Sequence, residues 1–388
     1  MAQGQAVLMS TEHTEIKLFP PTFEPWQGKD NDRSIAVLMS GGVDSSVTAM
    51  LLKEAGWKVL GITMKIPLAQ DCHHPGLCCR AGVMLVCRDI GIPHYFLDVV
   101  EVFEQLIVKP FRRAYMQGRT PSPCVDCNTF LKLGLVWDFL KEKFGVRHLA
   151  TGHYARIVRT ENGSLLVRAA DRQRDQSYFL YGIPRDRLAQ LVFPLGELSK
   201  QEVRELARRK GLAVAEKQDS MELCFAGEGN YRRALGREIP ASKGPILDTA
   251  GKILGYHEGI FNYTLGQRRG LGVAAGEPRY VVRICPPDNS VTLGTYEQAC
   301  RCDVRIEKVN TLIPEKLQPG EQLLGQIRSP GQASACTITE VSSEATLVEF
   351  AKPQFAPCSG QRLVLYDDNS AVVAGGIISY TNTSPNIV

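Results

Sequence analysis

Ser40-Gly41-Gly42-Val43-Asp44-Ser45-Ser46 stands directly after the apolar run Ile35–Met39 and opens a helical pattern over Asp44–Ala55. Two adjacent glycines let a backbone bend tightly and approach a ligand without a Cβ clash. The unpaired N–H groups at the start of the following helix then favour negative charge in front of them. Ser40, Ser45 and Ser46 add hydroxyl donors. Asp44 would repel phosphate unless Mg2+ lay between them, which points to metal-bound pyrophosphate as the ligand. No Gly-Lys-Ser/Thr follows, so this is not a Walker loop, and the spacing is not that of a dinucleotide fingerprint. A serine-capped helix after a glycine turn would explain a lone glycine pair. Two glycines, an acid and three serines in seven residues point instead to a nucleotide.

Outward from this loop the chain alternates strand-like and helix-like segments from Arg33 to about Glu222. Strands are expected at Ile35–Met39, Val59–Met64, Tyr95–Val99 and His148–Thr151, with helices at Asp44–Ala55 and Ala81–Ile90. Such alternation predicts an α/β domain with a parallel sheet covered by helices on both faces. A hairpin follows, Ala155–Val158 with Leu165–Arg168, with Asn162-Gly163 suited to positive φ at its turn. Ser199 and Glu202 form a capping box for a helix that Gly211 ends. Beyond about Gly229 glycine and proline become frequent. From Arg279 onward short alternating segments (Tyr280–Ile284, Val291–Gly294, Ala345–Phe350, Arg362–Tyr366, Ala371–Ile378) predict a small β-barrel. The first stretch, through about Arg33, has no periodicity and reads as a loose extension.

A chain of 388 residues with 44% hydrophobic and 22% charged residues has material for two or three globular domains. The formal charge of +4 is too small to demonstrate a polyanionic partner. Local clusters (Arg112, Arg113 and Arg119; Arg208, Arg209 and Lys210; Arg232, Arg233 and Arg237; Arg268 and Arg269) could neutralise phosphates, although each alone is ordinary for a solvated face. No apolar run reaches membrane-span length, and no export signal is evident, so a reducing cytoplasm is expected. There, 12 cysteines suggest metal, redox or sulfur chemistry rather than a disulfide scaffold.

Pro121-Ser122-Pro123-Cys124-Val125-Asp126-Cys127-Asn128 places two thiols three positions apart in a proline-restricted loop running into a helix. A thiol near a helix N-terminus is expected to have a lowered pKa. A third thiol, Cys224, precedes Phe225. Two chemistries fit: one thiol carries a persulfide that another resolves, or Cys124, Cys127 and Cys224 hold an iron–sulfur (4Fe-4S) cluster with one iron open. Zinc would need a fourth ligand that is not evident. Cys72-His73-His74 and Cys78-Cys79 have a metal-like composition but also suit a substrate lid.

Taken together, these motifs resemble the tRNA-specific 2-thiouridylase family. The resemblance runs from about Ser34 to the carboxyl end through SGGVDSS at 40–46, GRTPSPCVDCN at 118–128, ATGHYARI at 150–157, RDQSYFLY at 174–181, FPLG at 193–196, DSMELCF at 219–225 and YTLGQRRGLG at 263–272. It implies an adenine-nucleotide alpha-hydrolase-like catalytic domain over 33–229, a connecting domain over 230–297 and a tRNA-binding β-barrel over 298–388. It also implies ATP-dependent thiolation of uridine 34 in the anticodons of tRNAs for Lys, Glu and Gln, with an upstream sulfur carrier or cysteine desulfurase as partner. By the same resemblance Leu38, Met39, Ser40, Gly41, Gly42, Val43, Asp44 and Ser45 bind ATP, with Met64 and Gly152 on the adenosine side. Cys127 is the nucleophile and Cys224 the persulfide carrier, the two closing a disulfide as sulfur is released. Ser122, Pro123 and Cys124 lie beside the target base, and His153, Arg174, Asp175, Gln176, Arg328, Ser329 and Gln361 match tRNA-contacting positions. The chain departs from some relatives in having Cys124 where they have Asp or another residue, Glu222-Leu223-Cys224-Phe225 where some have Gly-Ile-Cys-Phe, and Arg174 where Lys is usual.

Overall fold

The computed structural model describes residues 15–28, 32–67, 80–218, 223–226, 235, 242–273 and 276–379. The cysteine and histidine group at 72–79 lies outside them, as does the basic cluster at 232–237.

The amino-terminal half forms a six-stranded sheet in the order Lys17–Leu18, His94–Asp98, Lys58–Lys65, Ser34–Leu38, His148–Ala150 and Leu191–Val192. All its pairings are parallel except that of the first, edge strand. Residues alternate between its faces. Ile35 and Val37 pack with Val43 and Val47 of the following helix, while Ala36 and Leu38 pack with Leu60, Ile62 and Leu97 against Trp137 and Leu140 on the other side. Helices therefore cover both faces, which explains why these strands are short and nearly all apolar. Ser34–Leu38 pairs with the next strand in sequence on one side and with the much later His148–Ala150 on the other. Its carboxyl end is thus the topological switch point, where open α/β sheets bind ligands.

The amino-terminal stretch differs from the loose extension expected. Lys17–Leu18 pairs antiparallel with Leu97–Asp98. The Trp26 indole donates to the Phe144 carbonyl at 3.0 Å, and the Trp26 backbone N–H donates to the Tyr95 hydroxyl at 2.9 Å. A two-residue strand and one large aromatic leave no periodic trace, yet together they cover an open sheet edge. In the hairpin Ala155–Thr160/Gly163–Arg168, Thr160 pairs with Gly163 across Glu161-Asn162. Of the two residues expected at positive φ, only Gly163 has it (φ 121°).

Two β modules follow. Ile253–His257, Gly244–Asp248, Ser290–Gly294 and Tyr280–Cys285 make a four-stranded sheet around Ile246, Val281, Val291 and Leu293. Six further strands (Cys300–Thr311, Ala345–Phe355, Ser334–Val341, Gln322–Gln326, Arg362–Tyr366 and Val372–Ser379) close a barrel filled by Val304, Ile306, Ile338, Phe350, Leu363 and Val373. The barrel is as expected, but the segments at 280–284 and 291–294 belong to the separate sheet. Cys300–Thr311, Gln322–Gln326 and Ser334–Val341 take their place. The first of these mixes charged and apolar side chains over 12 residues and is bulged, which blurs the period-two pattern.

Candidate active site

The loop at the switch point is held from within. Gly41 takes φ 75°, and Gly42 caps the helix Val43–Glu54 without a side-chain hydrogen bond, leaving the first-turn N–H groups for a ligand. Ser45 Oγ accepts from Ser40 N at 3.2 Å and donates to Gly42 O at 3.2 Å. Ser46 Oγ donates to the same carbonyl at 2.9 Å and is fully buried, so Ser46 shapes the loop rather than meeting the ligand as expected.

Asp44 is also engaged. Lys200 Nζ donates to both of its carboxylate oxygens at 2.8 Å, and the Tyr154 hydroxyl donates to Oδ1 at 2.9 Å. Lys200 follows the capping-box serine of its helix, and its side chain is 11% exposed. Lys217 Nζ donates to Gly41 O at 2.7 Å. The acid therefore does not need a metal ion to sit near phosphate, because Lys200 already balances it. That removes the electrostatic argument for Mg2+ drawn from Asp44. Lys200, Lys217 and Tyr154 were not singled out from the sequence.

Gly152 closes against the loop from the next strand's end. A Cβ there would lie 2.9 Å from the Asp44 carbonyl carbon and from the Ser45 nitrogen. Gly152→Ala should push the loop outward at a cost of ~1–3 kcal/mol, lowering ATP affinity about tenfold or more. An ATP titration checks this, with a melting temperature lowered by a few degrees from the same strain, and an unchanged Kd would remove Gly152 from the site.

Leu38, Met39, Ser40, Asp44, Ser45, Met64, Gly152, His153, Gln176 and Cys224 line one cavity of about 710 Å³, together with Lys65, Lys132 and Thr151. His153 pairs through Nδ1 with Thr151 Oγ1 at 2.6 Å, and burial pushes its pKa down to about 3, so it enters the cavity neutral. Gln176 Oε1 accepts from Tyr154 N at 3.0 Å. Asp175 turns inward: it accepts from Ala169 N, Ser177 N and Ser177 Oγ and pairs with Arg168 at 3.2 Å. Arg174 is half-buried beside it.

Pro123 occupies the first turn of the helix Pro123–Asp126, whose missing N–H costs nothing there. The helix continues as a π-helical stretch, Cys127–Val136, broken by non-helical angles at Gly134. Ser122 and Pro123 are buried, Cys124 is exposed and Cys127 is 8% exposed. Cys224 reaches the cavity next to Phe225, whose ring stands edge-on to Phe103 and Phe111 at 5.6 and 5.3 Å. Of the three thiols only Cys224 lines the cavity, while Lys132, which also lines it, acts electrostatically on all three. Lys132 Nζ donates to Asn128 Oδ1 at 3.0 Å, one turn along the cysteine helix.

The lowered thiol pKa expected from the helix start is not what the surroundings produce. Cys124 and Cys224 keep solvent-exposed surface and only Cys127 is buried, yet the protein packed around the thiols displaces enough water to raise all three, while Lys132 opposes the rise. A raised pKa means less thiolate at neutral pH. In a Cys124→Ser/Cys127→Ser background, alkylation of Cys224 by a neutral reagent should keep accelerating above pH 9 instead of levelling near the ordinary ~8.5. Lys132→Gln should slow alkylation further at every pH below that plateau. A plateau near pH 8 would contradict this.

On the barrel, exposed Arg328 donates to Phe355 O at 2.7 Å beside half-buried Ser329. Gln361 Nε2 donates to Pro121 O at 3.3 Å, bringing the barrel against the cysteine loop.

The fold and site define a HUP-type α/β nucleotide domain with one thiol, Cys224, in its cavity and joined to two β modules. Family models agree in order: "tRNA methyl transferase HUP domain" over residues 33–228, "tRNA methyl transferase PRC-barrel domain" over 232–295 and "Aminomethyltransferase beta-barrel domain" over 298–378. The chain is 39% identical over 361 residues to a tRNA-specific 2-thiouridylase MnmA of Lachnoclostridium phytofermentans, covering 89% of this chain and 99% of the relative. It is 40% identical over 369 residues to one of Bradyrhizobium, covering 91% and 92%. The chain belongs to the tRNA-specific 2-thiouridylase (MnmA) family. Among solved structures, the U34-tRNA thiolase NcsA of Methanococcus maripaludis with its 4Fe-4S cluster is 18% identical with a TM-score of 0.33, covering 51% of this chain and 62% of that one. An NMN synthetase of Francisella tularensis is 16% identical with a TM-score of 0.31, covering 53% and 68%.

Proposed function

We propose that this chain is a tRNA uridine 2-sulfurtransferase that adenylates the C2 oxygen of uridine 34 and replaces it with sulfur. The observation that carries this reading is one cavity lined both by Ser40, Asp44 and Ser45 of the loop and by Cys224. Uracil C2 is a poor electrophile with a poor leaving group. Transfer of AMP from Mg-ATP to its oxygen corrects both, and the loop's N–H groups receive the departing pyrophosphate. Uridine 34 leaves the anticodon stack to reach the cavity, past Ser122, Pro123 and Cys124. The tRNA body lies along the barrel face with Arg328, Ser329 and Gln361, and on Arg174, while His153 meets the flipped nucleotide from inside the cavity.

Sulfur arrives from a carrier or desulfurase as a persulfide on Cys224. Its terminal sulfur attacks C2, and AMP leaves with the former C2 oxygen. The Cys127 thiolate then attacks the Cys224 sulfur. The S–S bond breaks, its electron pair goes to the sulfur left on C2, and a Cys127–Cys224 disulfide forms that an external thiol reduces. Turnover of this kind belongs in a reducing cytoplasm, and among the described residues no helix is long and apolar enough to cross a membrane. The substrates of this reading are tRNAs for Lys, Glu and Gln.

A 4Fe-4S cluster on Cys124, Cys127 and Cys224 is the competing donor. Among the described residues no three His, Cys, Asp or Glu side chains gather as a metal-ligand set, so the thiols as placed do not fit it. Iron-free protein supplied with a sulfane-sulfur donor should thiolate tRNA, with AMP formed only when tRNA is present. Thiolation that appears only after cluster reconstitution would overturn the persulfide route, while AMP formation indifferent to tRNA would overturn the proposed function.

A further inference from the structure

The cysteine helix is gripped by the barrel at one buried point. Asp126 lies between Cys124 and Cys127, and its Oδ1 accepts from Arg362 Nη2 at 2.6 Å. Arg362 opens the barrel strand Arg362–Tyr366, and its side chain is only 5% exposed, against 25% for Asp126. Its other nitrogen donates to Gly360 O at 2.6 Å, and its own carbonyl accepts from the Tyr178 hydroxyl at 2.9 Å. The neighbouring backbone joins in: Thr120 N donates to Ser359 O at 2.8 Å, and Gln361 Nε2 donates to Pro121 O. Gly360 sits at φ 92°, where a Cβ would meet the Thr120 carbonyl at 3.0 Å, so the two segments approach as closely as backbone allows.

Burying an arginine in this way is costly unless its partner is fixed. A two-pronged guanidinium, one prong on a carboxylate and one on its own loop, sets orientation as well as distance. An apolar contact would hold the two modules together but would not set the rotation of the first turn of this helix, which carries Cys127 next to Asp126.

The geometry points to Arg362 as a positioning residue for sulfur transfer: through Asp126 the barrel holds the cysteine helix in register, so that tRNA lying against the barrel is placed relative to Cys127. Arg362 does not line the nucleotide cavity, and its hydrogen bonds go to Asp126, Gly360 and Tyr178 rather than to the glycine–serine loop. It acts on the second half of the reaction through Asp126. This rests on the sulfur-transfer reading above, and the two fail separately: thiolation surviving in Cys127→Ser would sink that reading whatever Arg362 does.

The test uses the full-length enzyme, loaded with persulfide and mixed with tRNA and Mg-ATP in single turnover. Arg362→Gln should slow 2-thiouridine formation about tenfold or more, while tRNA affinity and AMP formation stay within about twofold, since an orientation error of this size acts on the reacting geometry. Asp126→Asn should do the same. Asp126→Asn/Arg362→Gln should be no slower than either single variant, because both act through one contact. Arg362→Lys keeps the charge but loses the fork, and should fall between wild type and Arg362→Gln. It also serves as the readout if Arg362→Gln does not fold. Wild-type thiolation in folded Arg362→Gln, equal losses in AMP formation and thiolation, losses that multiply in the double variant, or wild-type thiolation in Arg362→Lys when Arg362→Gln is unfolded would each overturn the proposal.

Discussion

Cys224→Ser should abolish 2-thiouridine formation, by at least ~10³-fold, while tRNA-dependent release of AMP and pyrophosphate continues. A serine oxygen cannot carry sulfane sulfur, so the adenylated base has no attacking sulfur and is lost to water. Cys224 lines the nucleotide cavity, but the loop's internal bonds do not involve it, so the activation half of the reaction should survive. The diagnostic is therefore a split: AMP accumulates without thiolated product. Loss of both activities together would mean that Cys224 supports the fold or ATP binding. Retained thiolation would place the sulfur donor elsewhere.

Lys200→Met should have the opposite signature, lowering kcat/KM for AMP formation by ~10²-fold, or about 2.7 kcal/mol of transition-state stabilisation. Its ammonium is the cation on both oxygens of Asp44, and the methionine would leave that carboxylate facing incoming pyrophosphate. Thiolation should fall in the same proportion, since it waits on adenylation. Lys200→Arg keeps the charge and should lose less. Lys200→Met/Asp44→Asn, with the charge removed from both partners, should recover part of the loss. Unchanged AMP formation in Lys200→Met would show that the Asp44 charge is balanced by the bound nucleotide and its metal instead.

What could be read in the chain beforehand follows from how local each feature is. The nucleotide loop is seven contiguous residues between a buried strand and a helix, and its backbone requirements appear in the glycines themselves. The capping box at Ser199 and Glu202 is equally local and forms as expected, with Ser199 N donating to Glu202 Oε2 at 2.7 Å. Lys200 stands next to that cap, but nothing nearby shows that it reaches Asp44, 156 residues away, and Lys217 reaches Gly41 across 176. The Asp126–Arg362 pair spans 236 residues and was invisible for the same reason.

The thiols show the limit in a different way. Their spacing was legible, but the direction of their pKa shift was not. A helix start favours the thiolate, whereas burial opposes it, and only the packed structure, with Cys127 8% exposed, shows that burial prevails there. The barrel strand Cys300–Thr311 escaped notice because a bulge and its mixed composition break the alternation on which strand reading depends.

In the proposed reaction ATP activation and thiol-borne sulfur meet in one cavity. Iron-free enzyme carrying labelled sulfane sulfur on Cys224, mixed with tRNA, tests it with and without Mg-ATP. One labelled 2-thiouridine should form for each AMP released, and none without ATP. Label entering tRNA without ATP, or AMP released with the label still on the protein, would contradict it.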